Sequence, residues 1–326
     1  MKGLKKYNLL LLRKNRFIGY KIKYLSYFIF KRSRLQKGIG IFKGNKIIYI
    51  VKPDTEDGIE GLLSLVARTS LYIRNGLEHG YTVFVDWKNY KTQYYNGNDN
   101  AWNYFFKQPS NVEVPEINNY SGVILSGWTM YDLNPKGVYT VKQFKDKSIN
   151  KECYELLTRT LRFSDEVMTV VDSESENLGI ENCIGLYVRG TDYIKLKPSG
   201  EYRQPKLCDV QTKVNEFTIK YPKSKIFLVT EDGHIYDALS SEYGDKIVTV
   251  SYDSFIYNYL GDTYLSKSDV MNINKKRRGL DYLTKMILLS KCKYLISSIT
   301  MGSMFSYGLN GNQYKDEYIF DLGLYP

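Results

Sequence analysis

The sequence predicts an α/β protein with a doubly wound C-terminal half and a parallel strand–helix–strand unit in its N-terminal half. Three observations lead there. At 326 residues the chain exceeds one ordinary core and suits two domains of about 150 residues each. Its second half alternates short apolar runs with stretches of helical period, the pattern of strands and helices wound on one parallel sheet. Its first half contains one such unit complete.

In chain order, KIIYIV (46–51) is an apolar run short enough for a buried strand. A helix follows, with Leu62, Leu63, Leu65, Val66, Leu71 and Ile73 on one face, closing near Gly80. TVFV (82–85) is the next strand and ends on Asp86-Trp87. Gly58 and Gly61 stand where this helix opens; a tight turn and an anion site on backbone N–H groups both account for them. Residues 88–150 are aromatic and Asn-rich and have no clear period. Helices at 151–163 and 165–179 bridge to the second half. There, strands are expected at 183–188, 225–229, 246–250, 294–297 and 318–322, with helices at 206–221, 233–243 and 278–291.

Charge is distributed unevenly. Residues 1–37 hold twelve Lys or Arg and no acid, while the remaining 34 basic and 35 acidic residues leave the body at −1. A nucleic-acid-binding domain carries its charge on the folded face, so nucleic acid is not the expected partner. Within the arm, Ile18, Ile22, Leu25 and Ile29 share a helical face, and Lys21 and Lys23 break the apolar run below the ~20 residues a membrane span needs. The arm therefore reads as a basic amphipathic helix, lying on an anionic cytoplasmic leaflet or docked on the protein's own body. Its apolar core is broken and no small-residue cleavage site follows, which argues against a signal peptide.

The four cysteines show no CxxC spacing, and Cys183 and Cys292 sit among apolar residues as buried thiols would. This favours a reducing, cytoplasmic setting. With only His79 and His234, a multi-histidine metal site is excluded and no metal site is expected. The abundance of Tyr is explained by AT-rich coding as well as by any sugar-binding surface.

Polar residues gather at the strand ends of the second half. The strand at 183–188 runs into Arg189-Gly190-Thr191-Asp192-Tyr193, the next into Thr230-Glu231-Asp232-Gly233, and a later one into residues 297–303. In open α/β sheets, ligands bind beyond the carboxyl ends of strands, and a guanidinium there suits a phosphate through paired charge-assisted bonds. For Ser298, Thr300 and Ser303, helix capping and phosphate cradling are both open. The basic run Lys275-Lys276-Arg277-Arg278 opens the penultimate helix, where Arg277 or Arg278 could face phosphates; a solvated face explains the run equally. Asp281 and Lys285 share a helical face at i,i+4.

The segments IGLYVRGTDY, KIFLVTEDGHIYDALSSEYGDKIV and RRGLDYLTKMILLSKCKYLISSITMGS, in that order, resemble the superfamily of α-1,6-fucosyltransferases, nodulation fucosyltransferases and protein O-fucosyltransferases. VFVDWKNYKTQYYNGNDNAWNYFFKQP is similar to the first half of bacterial members associated with surface polysaccharide, so the resemblance covers roughly residues 40–326. It implies a GT-B-like fold: two Rossmann-like domains facing a cleft, an acceptor side at 38–180 and a nucleotide-sugar side at 181–326. It also implies inverting, metal-independent transfer from a nucleotide sugar, typically GDP-fucose, with no other cofactor. Arg189 matches the arginine on the donor diphosphate, Asp192 an acid that organises its loop, and residues 298–303 the hydroxyl-rich phosphate loop. With the polar strand ends, Glu231, Asp232, Arg277, Arg278, Ser298, Thr300 and Ser303 complete the expected donor set.

The chain departs from that pattern. Tyr187 stands at the guanosine-holding histidine, Gly190 at a second arginine, and Lys285 at the acid that reads guanine, with Asp281 one turn earlier as its substitute. Lys197 falls where the general-base glutamate is expected. Glu201, in a flexible-looking Pro198-Ser199-Gly200 loop, is the first choice for that base and Asp86 the second. The expectation is a glycosyltransferase on the cytoplasmic side, peripheral to the membrane, acting on a saccharide or lipid-linked saccharide. A different nucleotide sugar, or a catalytically silent GT-B protein that binds glycan or a biosynthetic complex, remain as alternatives.

Overall fold

The computed structural model describes residues 46–53, 60–112, 115, 120, 122–127, 139–261, 264–265 and 274–326. The basic arm and Gly58, with the expectations attached to them, lie outside the described residues. Two parallel sheets organise the rest. The first has order β2-β1-β3, from β1 (Ile47–Val51), β2 (Thr82–Val85) and β3 (Gly122–Leu125). Helix α1 (Leu62–Glu78) joins β1 to β2, as the strand–helix–strand pattern predicts. Strand β3 lies in the stretch that has no sequence period.

That stretch is legible once its hydrogen bonds are traced. Strand β2 is at the edge of its sheet, and side chains take the place of a neighbouring strand. Val83 N–H donates to Ser110 Oγ, and Val85 N–H to Gln108 Oε1 (both 2.9 Å). Asn100 donates to Val85 O and accepts from Trp87 N–H. Asn and Gln carry both donor and acceptor, so they can mimic a peptide against an open strand edge. The intervening aromatics pack as one cluster, with Trp87 edge-on to Trp102 at 5.2 Å and Trp102 stacked on Phe106 at 4.4 Å.

Helices α2 (Lys147–Thr160) and α3 (Asp165–Leu178) bridge to the second sheet. Its order is β6-β5-β4-β7-β8, all parallel: β4 (Ile184–Tyr187), β5 (Ile226–Val229), β6 (Ile247–Val248), β7 (Tyr294–Ser298) and β8 (Asp316–Phe320). The last strand begins two residues earlier than the apolar run suggests. On its outer face Ile184, Leu186, Ile226 and Leu228 pack under α5 (Leu207–Lys220) and α6 (Gly233–Tyr243). The alternate residues Tyr187, Phe227 and Val229 face inward and join one core with α7 (Lys275–Lys291) and with Tyr49 and Val85 of the first sheet. The second half is therefore doubly wound, and its inner helices are the floor on which the first half rests.

Three elements differ from expectation. A short helix, α4 (Thr191–Leu196), follows the Arg189 turn. Helix α7 begins at Lys275, with Asn274 capping Lys276 and Arg277 N–H, so the basic run is its first turn rather than a lead-in. Residues after β7 form α8 (Met301–Asn310), where the hydroxyl-rich composition suggests a loop.

Candidate active site

The second sheet's chain order reverses direction between β4 and β7, and that crevice at the carboxyl edge is where such sheets bind ligands. Arg189 stands there, two residues beyond β4. Its Nη2 donates to Asp192 Oδ1 at 3.1 Å, and its guanidinium lies 4.6 Å from the Tyr193 ring centroid. Glu231 Oε1 lies 3.3 Å from Nε without forming a hydrogen bond to it, and accepts from Gly190 N–H and Thr191 Oγ1. Burial opposes the charge of Arg189, but Glu231, then Tyr187 and Asp192, outweigh it and hold its pKa well above the ordinary value. Of five N–H donors only one is spent on a hydrogen bond, so an anion could take the fork without breaking the loop.

The loop itself is over-determined. Asp192 is buried; Oδ1 accepts from Arg189, Thr191 Oγ1 and Tyr193 N–H, and Oδ2 from Leu265 N–H. Those bonds make it the organiser of the turn and leave it no role as a base. Thr191 sits at φ 42°, a strained conformation for a β-branched residue, and Asp232 Oδ2 holds its N–H at 3.1 Å. A Cβ on Gly190 would meet the Asp232 carboxylate at 2.5 Å. Asp232 therefore occupies the space that a side chain at position 190 would need.

Tyr193 links the arginine to the proposed base. Its hydroxyl donates to Glu201 Oε2 at 3.2 Å, on an exposed segment. Pro198–Gly200 suggests mobility in sequence, yet the segment is pinned to the C-terminal strip. Tyr202 bridges Leu324, Gly200 N–H donates to Tyr325 O, and Tyr325 N–H to Glu201 O. Asp86 is different. Its buried carboxylate accepts from Lys88 N–H, Asn89 N–H and Asn89 Nδ2, so it caps its own turn. The structure brings Glu201 to the arginine through Tyr193 and forms no such link for Asp86.

Across the crevice stand residues the sequence reading did not single out. The buried Tyr94 hydroxyl accepts from Leu62 N–H at the start of α1 (3.0 Å). Burial raises its pKa, and the fields of Arg278 and Arg189 both act against that rise. Arg278 Nη2 donates to Gln93 Oε1 at 2.5 Å. The Arg278 guanidinium lies 5.8 Å from the Tyr94 ring centroid, and Arg189 is within electrostatic reach of the same hydroxyl. Tyr282 is a second such residue: its hydroxyl and that of Tyr187 close on Gly302 in the first turn of α8, where a Cβ would lie 2.5 Å from the Tyr282 oxygen. Only spacing on α7 could have pointed to Tyr282, and nothing local could have pointed to Tyr94.

The remaining expected donor residues are committed elsewhere. Thr300 caps α8 and exchanges bonds with Ser303 in a capping box, so the capping explanation holds for both. Ser298 Oγ donates to Gln204 Oε1 at 2.6 Å, and all three hydroxyl residues are buried. Arg277 pairs with Asp281 at 2.7 Å and lies over the Tyr252 ring, away from Arg278. Asp281 lines a shallow groove with Tyr252, Thr284 and Glu166, and burial raises its pKa against the pull of Arg277 and Lys285. Lys285 is locked in a buried ion pair with Asp253. Among the described residues no cluster of His, Cys, Asp or Glu is arranged to hold a metal ion, and no helix is long and apolar enough to cross a membrane.

No protein-family model and no curated protein matches the sequence. Solved structures do. The fucosyltransferase NodZ from Bradyrhizobium superposes with a TM-score of 0.52 at 16% identity, over 86% of this chain and 97% of that one. A NodZ α-1,6-fucosyltransferase soaked with GDP-fucose gives 0.50 at 16% identity, over 86% and 96%. At this identity the likeness establishes the GT-B-like α/β fold that the sequence predicts.

Proposed function

We propose that this chain is an inverting, metal-independent glycosyltransferase that moves fucose from GDP-fucose to a saccharide or glycolipid acceptor in bacterial surface polysaccharide synthesis. The observation that carries this reading is Arg189 at the switch point of the second sheet, held by Asp192 and with most of its N–H donors not spent on hydrogen bonds. In the reaction, Glu201 takes the proton of the acceptor hydroxyl. The alkoxide attacks the anomeric carbon from the face opposite the diphosphate. As the bond from that carbon to the diphosphate oxygen breaks, negative charge gathers on the leaving group, and Arg189 offsets it. The configuration at the anomeric carbon inverts, and GDP leaves with the electron pair.

Thermal unfolding with GDP, UDP, CDP and ADP tests the donor. GDP is expected to stabilise the protein, and Arg189→Ala to abolish that response. A flat response to all four would leave the catalytically silent alternative. The pairing of Lys285 with Asp253 favours a second reading, in which the base is not guanine: a lysine cannot accept from guanine N1–H, and its partner carboxylate is buried beside it. A larger shift with UDP, CDP or ADP than with GDP would establish that reading. The basic arm, on this proposal, holds the enzyme against the anionic inner leaflet; removing residues 1–37 is expected to lower co-sedimentation with phosphatidylserine vesicles, and unchanged sedimentation would rule the role out.

A further inference from the structure

A cavity of about 260 Å³ opens where the first half meets the carboxyl edge of β8, lined by Val141, Phe144, Lys145, Ile299, Glu317, Ile319 and Asp321. Of these only Ile299 falls within the expected donor segments, between Ser298 and Thr300. We infer that this cavity is the subsite for one neutral sugar ring of the acceptor, an assignment that rests on the glycosyltransferase reading above.

Three features point to that ligand. The first is an unused buried acceptor. Glu317 Oε1 accepts from Lys147 Nζ and from the Tyr307 hydroxyl, while Oε2 is buried and has no hydrogen-bond partner. A carboxylate oxygen out of water without a partner costs stability, and a ligand hydroxyl would satisfy it. The second is charge balance. Lys145 pairs with Asp321 at 2.6 Å and Lys147 with Glu317 at 2.5 Å, so two cations meet two anions. With both lining carboxylates paired to a lysine, the site favours a neutral, hydroxyl-rich ring over a phosphate or an amine. The third is the mixture of walls. Val141, Phe144, Ile299 and Ile319 are apolar and face a few polar groups, the usual composition of a small-molecule site. Sugar rings offer both C–H faces and O–H edges to such a lining.

Its position fits an acceptor as well. Lys145 lies within electrostatic reach of Tyr202, and Tyr202 follows Glu201, the proposed base. Glu201 is joined through Tyr193 to Arg189. The cavity thus neighbours the segment that carries Glu201, the group that would take the proton of an acceptor hydroxyl.

Saturation-transfer NMR with methyl glycosides of glucose, galactose, mannose and N-acetylglucosamine tests the subsite. At least one glycoside should receive saturation from the wild-type protein. Val141→Trp, which fills the cavity, and Glu317→Gln, which removes the negative acceptor, should each weaken that signal at least tenfold while the GDP thermal shift is unchanged. Glu317→Gln keeps the test decisive if Val141→Trp fails to fold. No transfer to any of the four glycosides, or equal transfer in both variants, overturns the assignment. Glycoside binding without any nucleotide response would keep the subsite and remove the transferase reading.

Discussion

Two strand ends of the same sheet look alike in sequence and differ in what they can do. Beyond β4, the Arg189 turn is tied down by Asp192, Glu231 and Asp232, yet the guanidinium keeps most of its donors free toward the crevice. Beyond β7, Thr300 Oγ1 accepts from Ser303 N–H, Ser303 Oγ accepts from Thr300 N–H and donates to Thr300 O, and Ser298 Oγ donates to Gln204. The first is a rigid frame around an unused group; the second is a frame alone. Polar residues at a strand end indicate a site only when their hydrogen-bonding capacity is left over after the backbone has been satisfied.

Substitutions can break or sharpen this contrast. The largest effect on stability is expected where a charge is wholly spent. Lys285→Ala strands the buried Asp253 carboxylate and should cost about 3–5 kcal/mol. Burial already raises the pKa of Asp253, with Lys285 pulling it down. An acid with a raised folded pKa gives its full stabilisation below its unfolded value of about 3.9 and loses it as pH rises through the folded value. The variant should therefore recover toward wild type as pH falls from 7 to 4.5. Denaturant midpoints measure this, and a gap that widens toward acid would contradict it.

The largest effect on turnover is expected where hydrogen-bond donors are unspent. Arg189→Ala should lower transfer about 100- to 1000-fold, as loss of one transition-state donor does, with a far smaller change in unfolding temperature. Equal losses of activity and stability would make Arg189 a structural residue. Glu201→Gln should cost about 100-fold in rate while nucleotide binding persists; unchanged turnover would remove it as the base. The smallest effect belongs to the spent hydroxyls. Thr300→Ala should destabilise the fold by about 0.5–2 kcal/mol through its lost cap and leave the GDP response intact. A vanished GDP response in that variant would return Thr300 to the donor site.

Much of the scaffold was legible because short-range patterns encode it. Apolar runs of four or five residues mark β1, β2, β4, β5 and β7, and their burial follows from having helices on both faces. Helix α8 was not legible, because Met301-Gly302-Ser303 reads as a turn until Thr300 and Ser303 are seen to close a capping box. Strand β3 and the Asn-rich stretch were not legible either. Asn100, Gln108 and Ser110 act as a substitute strand for β2 and so follow no local period.

For the site, the sequence by itself determined that Arg189 ends a buried strand beside an acid-rich turn. Through the resemblance it also raised the expectation that Tyr187, Gly190 and Lys285 stand in for a histidine, a second arginine and a guanine-reading acid. Only the tertiary structure decided which polar groups remain available. Asp232 fills the space over Gly190, Asp253 claims Lys285, and Tyr94 comes within electrostatic reach of both Arg278 and Arg189 from a position distant in the chain. The reason is physical: hydrophobic period is a local property that each segment carries alone, whereas a hydrogen-bond donor is free or spent according to neighbours that only folding supplies.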